Sequence, residues 1–223
     1  MNALRPALLL SLLLVAAPAF AVKPFVADYT ASWKGISANA RISLSQVTGN
    51  RWNYELSVNN SLGSSSQVTV FDEQGDALRP LSGVDTTQLL FKKIQKSASY
   101  DWSKREARWS GDVNADRTGP VKLQEGDLDG MLLNLAIVRD VAAGKPLHYR
   151  MVDNGTASPQ IYQNMGKDTV TVDGQPRAAT KVARSDDNKQ LIVWVVDGLP
   201  TPARILQRKN GKDELELTLK SVH

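Results

Sequence analysis

The clearest pattern along the chain has a period of two. In Phe25-Val-Ala-Asp-Tyr-Thr-Ala-Ser-Trp33, the residues Phe25, Ala27, Tyr29, Ala31 and Trp33 share one face of an extended segment. Ala38, Ala40, Ile42 and Leu44 then alternate with polar residues, and Trp52, Tyr54, Leu56 and Val58 do the same. One wet and one dry face in consecutive strands is the signature of an antiparallel sheet. Thr48-Gly49-Asn50 supplies the turn between the second and third strands. Less regular strands are predicted over 66–72, along Ile94, Ala98, Tyr100 and Trp102, and over 121–123. A hairpin with a polar tip is predicted from Trp102 to Trp109.

Between Asp127 and Ala143 the period changes. Leu128, Met131, Leu132, Leu135, Val138 and Ala142 recur at helical spacing and form one dry stripe. Asp127 or Asp129 can cap the start, and Gly144 and Pro146 mark the end. Strands resume at 147–152, 160–165, 169–172 and 178–184, with Asp173-Gly174 as a hairpin turn. Further strands follow at 191–196, at 204–208 and along Leu215, Leu217 and Leu219. The expected fold is mainly β: one large curled antiparallel sheet, a half-barrel or open barrel of about 11–13 strands, with one amphipathic helix packed on it. A sheet of that size tends to curl or close.

The segment Leu191-Ile-Val-Trp-Val-Val196 has no polar face. Leu191, Val193 and Val195 point one way, and Ile192, Trp194 and Val196 the other, so both faces must leave water. The helix is expected to cover one face, and the concave side of the sheet to take the other. Asp197-Gly198 and Pro200 then end the strand. A curled sheet around apolar side chains is a container geometry, which either holds a ligand or is packed solid with its own side chains. Its candidate ligand-binding residues are the aromatics Trp33, Tyr54, Tyr100, Trp102 and Trp194, with Leu132 and Leu135 from the helix.

Residues 1–21 read as a signal peptide. Arg5 precedes an apolar run from Leu8 to Ala17, and Ala19-Phe20-Ala21 fits a small-x-small cleavage site. The run is too short to span a bilayer, and no second one of spanning length follows. Residues 22–223 are then expected to form one β-rich domain in a bacterial periplasm. The chain lacks cysteine, so its core must hold without disulfides, and cysteine-ligated metal is excluded. The net charge of +4 falls by one without Arg5 and is scattered, whereas a nucleic-acid interface wants a concentrated basic stripe.

Catalytic signatures are sparse. The histidines are His148 and His223, and no G-x-S-x-G elbow is present. Asp112-Val-Asn-Ala-Asp-Arg-Thr-Gly119 imitates a calcium loop but carries Arg117 where the loop needs glycine and Leu123 where it needs glutamate. It reads as a polar turn. No cofactor, metal site or catalytic residue is assigned.

Two stretches, Asp127-Leu-Asp-Gly-Met-Leu-Leu-Asn-Leu135 and Gly144-Lys-Pro-Leu-His-Tyr149, resemble an exported bacterial family, domain of unknown function 3108. So does the order Val182-Ala-Arg184, Ile192-Val-Trp194, Leu199-Pro-Thr-Pro-Ala-Arg204 and Leu217-Thr-Leu-Lys-Ser-Val222. The resemblance implies a periplasmic half-barrel similar to the lipoprotein carriers, which bind acyl chains in their concavity. It brings no established activity. Three readings follow: a non-enzymatic module holding a lipid, acyl group or lipidated partner; an envelope assembly protein without a small-molecule ligand; and, as a third, a hydrolase using His148.

Overall fold

The computed structural model describes residues 22–223; the expected signal peptide lies outside them. Thirteen strands form one antiparallel sheet. Its first half is a meander of β1 (Phe25–Trp33), β2 (Ile36–Thr48), β3 (Arg51–Asn60), β4 (Gly63–Gln74), β5 (Ala77–Leu89), β6 (Lys92–Asp101), β7 (Glu106–Gly111) and β8 (Val121–Lys122). A small second sheet contains β9 (Asp127–Leu128), β10 (His148–Asp153) and β11 (Thr156–Ile161), with α1 (Gly130–Ala142) between β9 and β10. The large sheet is completed by β12 (Gln163–Val172), β13 (Gln175–Asp186), β14 (Lys189–Val195), β15 (Arg204–Lys209) and β16 (Lys212–Val222).

The two halves join where β1 pairs with β16, through Ala31 opposite Leu217. The strand order runs from β12 through β16 and β1 to β8 without closing. The sheet is strongly curled. Asp173, in the β12–β13 turn, donates its backbone N–H to Lys220 O on β16 at 2.9 Å, although three strands separate β12 from β16.

The period-two face becomes the core. Phe25, Ala27, Tyr29 and Ala31 are buried, as are Ala40, Ile42, Leu44, Trp52, Tyr54, Leu217 and Leu219. Segment 191–196 behaves as expected from Ile192 onward: each residue from Ile192 to Val196 is buried, and Leu191 is partly so. The following loop folds inward. Thr201 and Ala203 are fully buried. The Tyr29 hydroxyl donates to Pro202 O at 2.7 Å and lies 2.8 Å from Thr201 Oγ1. Tyr29→Phe should therefore cost about 1–3 kcal/mol in denaturant unfolding, because it strands two buried polar groups.

Several expectations need correction. β5 has no counterpart among the expected strands, because Pro80 and Gly83 interrupt its alternation and its face toward the cavity described below carries Gly83 and Asp85. The expected strand over 160–165 is two strands in different sheets, divided at Tyr162. Trp102 stands in the β6–β7 turn rather than in a strand.

The helix packs on the sheet as expected, and its burial extends beyond the expected stripe. Met131, Leu132, Leu133, Leu135, Ala136, Ile137, Val138 and Asp140 are all buried, so apolar residues surround most of its axis. It is a plug within the core, not a roof over a hollow. Asp129 is its cap, accepting from Leu132 N–H at 2.8 Å, whereas Asp127 pairs with Arg150 across β9 and β10. Gly144, at a φ of +63°, ends the helix in a left-handed conformation that suits glycine.

Candidate functional site

Two recesses stand out among the described residues, and their chemistry follows from which strands line them. From β12 through β3 the buried core-facing residues are mostly apolar and belong to one cluster with those of α1. From β4 to β6 the residues lining the recess turn polar: Gln67, Thr69, Asp85 and Lys96. The helix packs imperfectly there, leaving a polar cavity of about 360 Å³. The N-terminus of α1 borders it with Asp129, Gly130 and Met131, and the β10–β11 hairpin with Asp153 and Asn154. Of the two alternatives for the concave face, a ligand-holding hollow or a packed core, the apolar part takes the second. The oily part is filled, and the larger opening is polar.

Burial governs the carboxylates around this cavity. Asp129 is pushed up to about 6, chiefly by desolvation, with hydrogen bonds from Leu132 N–H and Thr69 opposing the shift. Asp153 and the more exposed Asp85 move upward for the same main reason. Tyr100 donates to Val152 O at 3.1 Å and meets the Trp109 ring edge-on. Trp109 also lines the cavity, and its buried indole N–H has no partner. Such a site suits hydrogen-bonding or cationic groups. Among the described residues, no cluster of His, Cys, Asp and Glu has the arrangement for a metal ion.

The second recess is an apolar groove of about 190 Å³. It opens where the dry faces of β1, β2 and β3 run on past the core. Ala31, Ala38 and Val58 line it, with Trp33, Ile36, Leu62 and Leu89 from the hairpin ends and Leu215 from β16. Trp33 is 54% exposed and Leu89 is 50% exposed. This is apolar surface that the fold itself does not bury.

The predicted ligand-binding residues do not form one site. Trp33 lines the groove and Tyr100 the polar cavity. Tyr54, Leu132 and Leu135 are buried in the core around the helix. Trp102 donates its indole N–H to Pro80 O at 2.7 Å and lies beneath the Arg79 guanidinium. Trp194 is buried, bonded to Asp168 at 2.9 Å and flanked by Arg204 and Lys181. His148 is exposed on β10 and lines neither recess. The imitation calcium loop has a structural use: Asp112 accepts from Gln95 N–H at 2.7 Å. Sequence reading missed Gln67, Asp85, Lys96, Asp129 and Asp153 as neighbours, because they come from separate elements.

Among the described residues, no helix is long and apolar enough to cross a membrane. No curated protein matches the chain. Among solved structures, a beta-barrel-like protein of domain of unknown function DUF1849 from Brucella abortus has a TM-score of 0.51 at 10% identity. The alignment covers 91% of this chain and 98% of that one, and the likeness is one of fold. MucB is more distant, with a TM-score of 0.32 at 7% identity over 90% of this chain and 52% of its own. The Pseudomonas aeruginosa MucA/MucB complex gives 0.34 at 8% identity, over 90% and 51%. The family model for proteins of unknown function DUF3108 matches residues 28–218. With a match of that extent, which contains the helix motif and the segments from Val182 to Arg204, the chain belongs to the DUF3108 family.

Proposed function

We propose that this protein is a non-enzymatic binding module of the bacterial periplasm that takes a single apolar group into the groove between β1, β2 and β3. The occupant is one acyl chain, either free or attached to a partner envelope protein. One observation carries the reading: eight apolar side chains line the groove, with Asn60, Ser64, Ser65 and Thr87 among its other lining residues, and it remains open in a fold whose apolar interior is otherwise packed. Its volume of about 190 Å³ sets the scale. A cavity of ~150 Å³ admits a benzene-sized molecule, so the groove suits one chain end and not a whole diacyl lipid. The periplasmic location rests on the signal-like run before Val22.

Binding of a fluorescent single-chain fatty acid tests the proposal. Val58→Trp or Ala38→Phe should fill the groove and weaken binding at least tenfold, with thermal unfolding little changed. Undiminished binding in both folded variants would contradict it. A second reading, an envelope assembly protein with no small-molecule ligand, is favoured by the exposed Leu90 and Phe91, which lie outside the groove. It predicts no fatty-acid binding by the unaltered protein.

A further inference from the structure

Three neighbouring hairpins at one end of the sheet carry apolar residues where turns normally carry polar ones. The β1–β2 tip has Trp33 and Ile36, the β3–β4 tip has Leu62, and the β5–β6 tip has Leu89, Leu90 and Phe91. All six are exposed; Leu90 is 78% exposed and Phe91 completely so. They are contiguous through the shared groove lining of Trp33, Ile36, Leu62 and Leu89. At the opposite end, the turns use Gly49-Asn50, Gly75-Asp76 and Asp173-Gly174, the ordinary choices.

The β5–β6 turn is also strained. Leu90 and Phe91 are the two residues between the paired strands, and Leu90 sits at a φ of +47°. That conformation suits Gly, Asn or Asp and is costly for other residues. Leucine here gains no burial in return, so neither turn geometry nor packing within the chain accounts for it. A surface outside the chain does.

Charge identifies that surface. Lys34 lies in the first tip, and Lys92 and Lys93 follow Phe91. No Asp or Glu occurs in 33–40, 58–71 or 86–95. Glu214 approaches Lys34 only at 3.8 Å, with the lysine more than half exposed. The remaining tips at this end carry both signs: Asp186, Asp187 and Asp213 stand among Lys189, Arg208, Lys209 and Lys212, with Asp213 paired to Arg208 at 2.6 Å and Asp186 to Arg184 at 3.5 Å. Exposed aromatic and aliphatic tips flanked by lysine are the chemistry of an anionic bilayer interface, where apolar groups enter the acyl boundary and lysines meet the headgroups.

We infer that the β1–β2, β3–β4 and β5–β6 tips dock this protein onto an anionic lipid surface. The inference goes beyond the groove's occupancy, since Leu90, Phe91 and the lysines lie outside the groove.

Co-sedimentation with vesicles of 30% phosphatidylglycerol in phosphatidylcholine tests it. The protein should bind these at least tenfold more strongly than pure phosphatidylcholine vesicles, and lose most binding in 0.5 M salt. Leu90→Asn with Phe91→Gly restores an ordinary hairpin turn, so the double variant should melt no lower than the parent yet lose binding at least tenfold. Val58→Trp should leave vesicle binding intact, which separates this inference from the fatty-acid site. Absent binding to the anionic vesicles, or equal binding by the Leu90/Phe91 variant, overturns it. So does a concentration-dependent dimer that buries the tips and is abolished by the same variant.

Discussion

Leu132→Ala should destabilise the protein by about 3–5 kcal/mol in urea unfolding, among the largest losses of any single truncation in the chain. Leu132 is fully buried near the start of α1, within the cluster that also contains Tyr54, Ile192 and Trp194. Truncating it removes transfer free energy and leaves a cavity that surrounding strands fill only in part. The exposed Leu90 provides the contrast, since its truncation removes no packing. A loss below about 1 kcal/mol at Leu132 would mean that the helix does not plug the sheet. The apolar interior would then be the open hollow suggested by the residue pattern.

Asp129→Asn is expected to stabilise the protein at neutral pH. The folded state holds this carboxyl at about 6, against an ordinary 3.8, because burial disfavours its charge. Folding therefore favours the protonated form. The stability associated with it is complete below pH ~4, falls as the pH rises toward 6, and stays lost above that. A shift of about two units corresponds to on the order of 3 kcal/mol. Asparagine removes that titration while remaining a good helix cap. The lost attraction of the carboxylate for the helix N-terminus subtracts up to ~1 kcal/mol. The variant should match the parent near pH 4 and melt roughly 4–10 °C higher at pH 7.5. Parallel pH profiles of the two proteins would show that Asp129 is ionised in the fold at no cost.

The same two residues show what the sequence reveals and what it hides. Leu132 is legible because it belongs to a helical stripe, and the strands around it alternate cleanly where one face meets the core. The pattern does not say how completely the helix is enclosed, because Leu133, Ala136 and Ile137 lie off the stripe. They are buried by strands distant in sequence. The polar cavity is illegible for a related reason. Gln67, Asp85, Lys96, Asp129 and Asp153 read singly as surface or capping residues, and only the curl of the sheet brings them together. The signal that could have found it is the loss of a dry face between β4 and β6.

The apolar tips were more open to reading. Leu89-Leu-Phe91 followed by two lysines is an apolar run in a turn, a place where neither core packing nor turn propensity calls for one. The pattern of alternation drew attention to Trp33 for the right face but the wrong neighbourhood. It continues the dry face of β1 beyond the point where the core ends, and therefore lines the groove instead of the hollow.

The proposed function has an apolar group entering at the hairpin end of the sheet and not among the residues packed on the helix. Methyl NMR of the protein titrated with a single-chain fatty acid tests this most directly. Shifts should concentrate at Ile36, Ala38, Val58, Leu62 and Leu89, with Leu132, Leu135 and Val193 unmoved. Shifts centred on the helix methyls, or none at saturating fatty acid, would contradict the account.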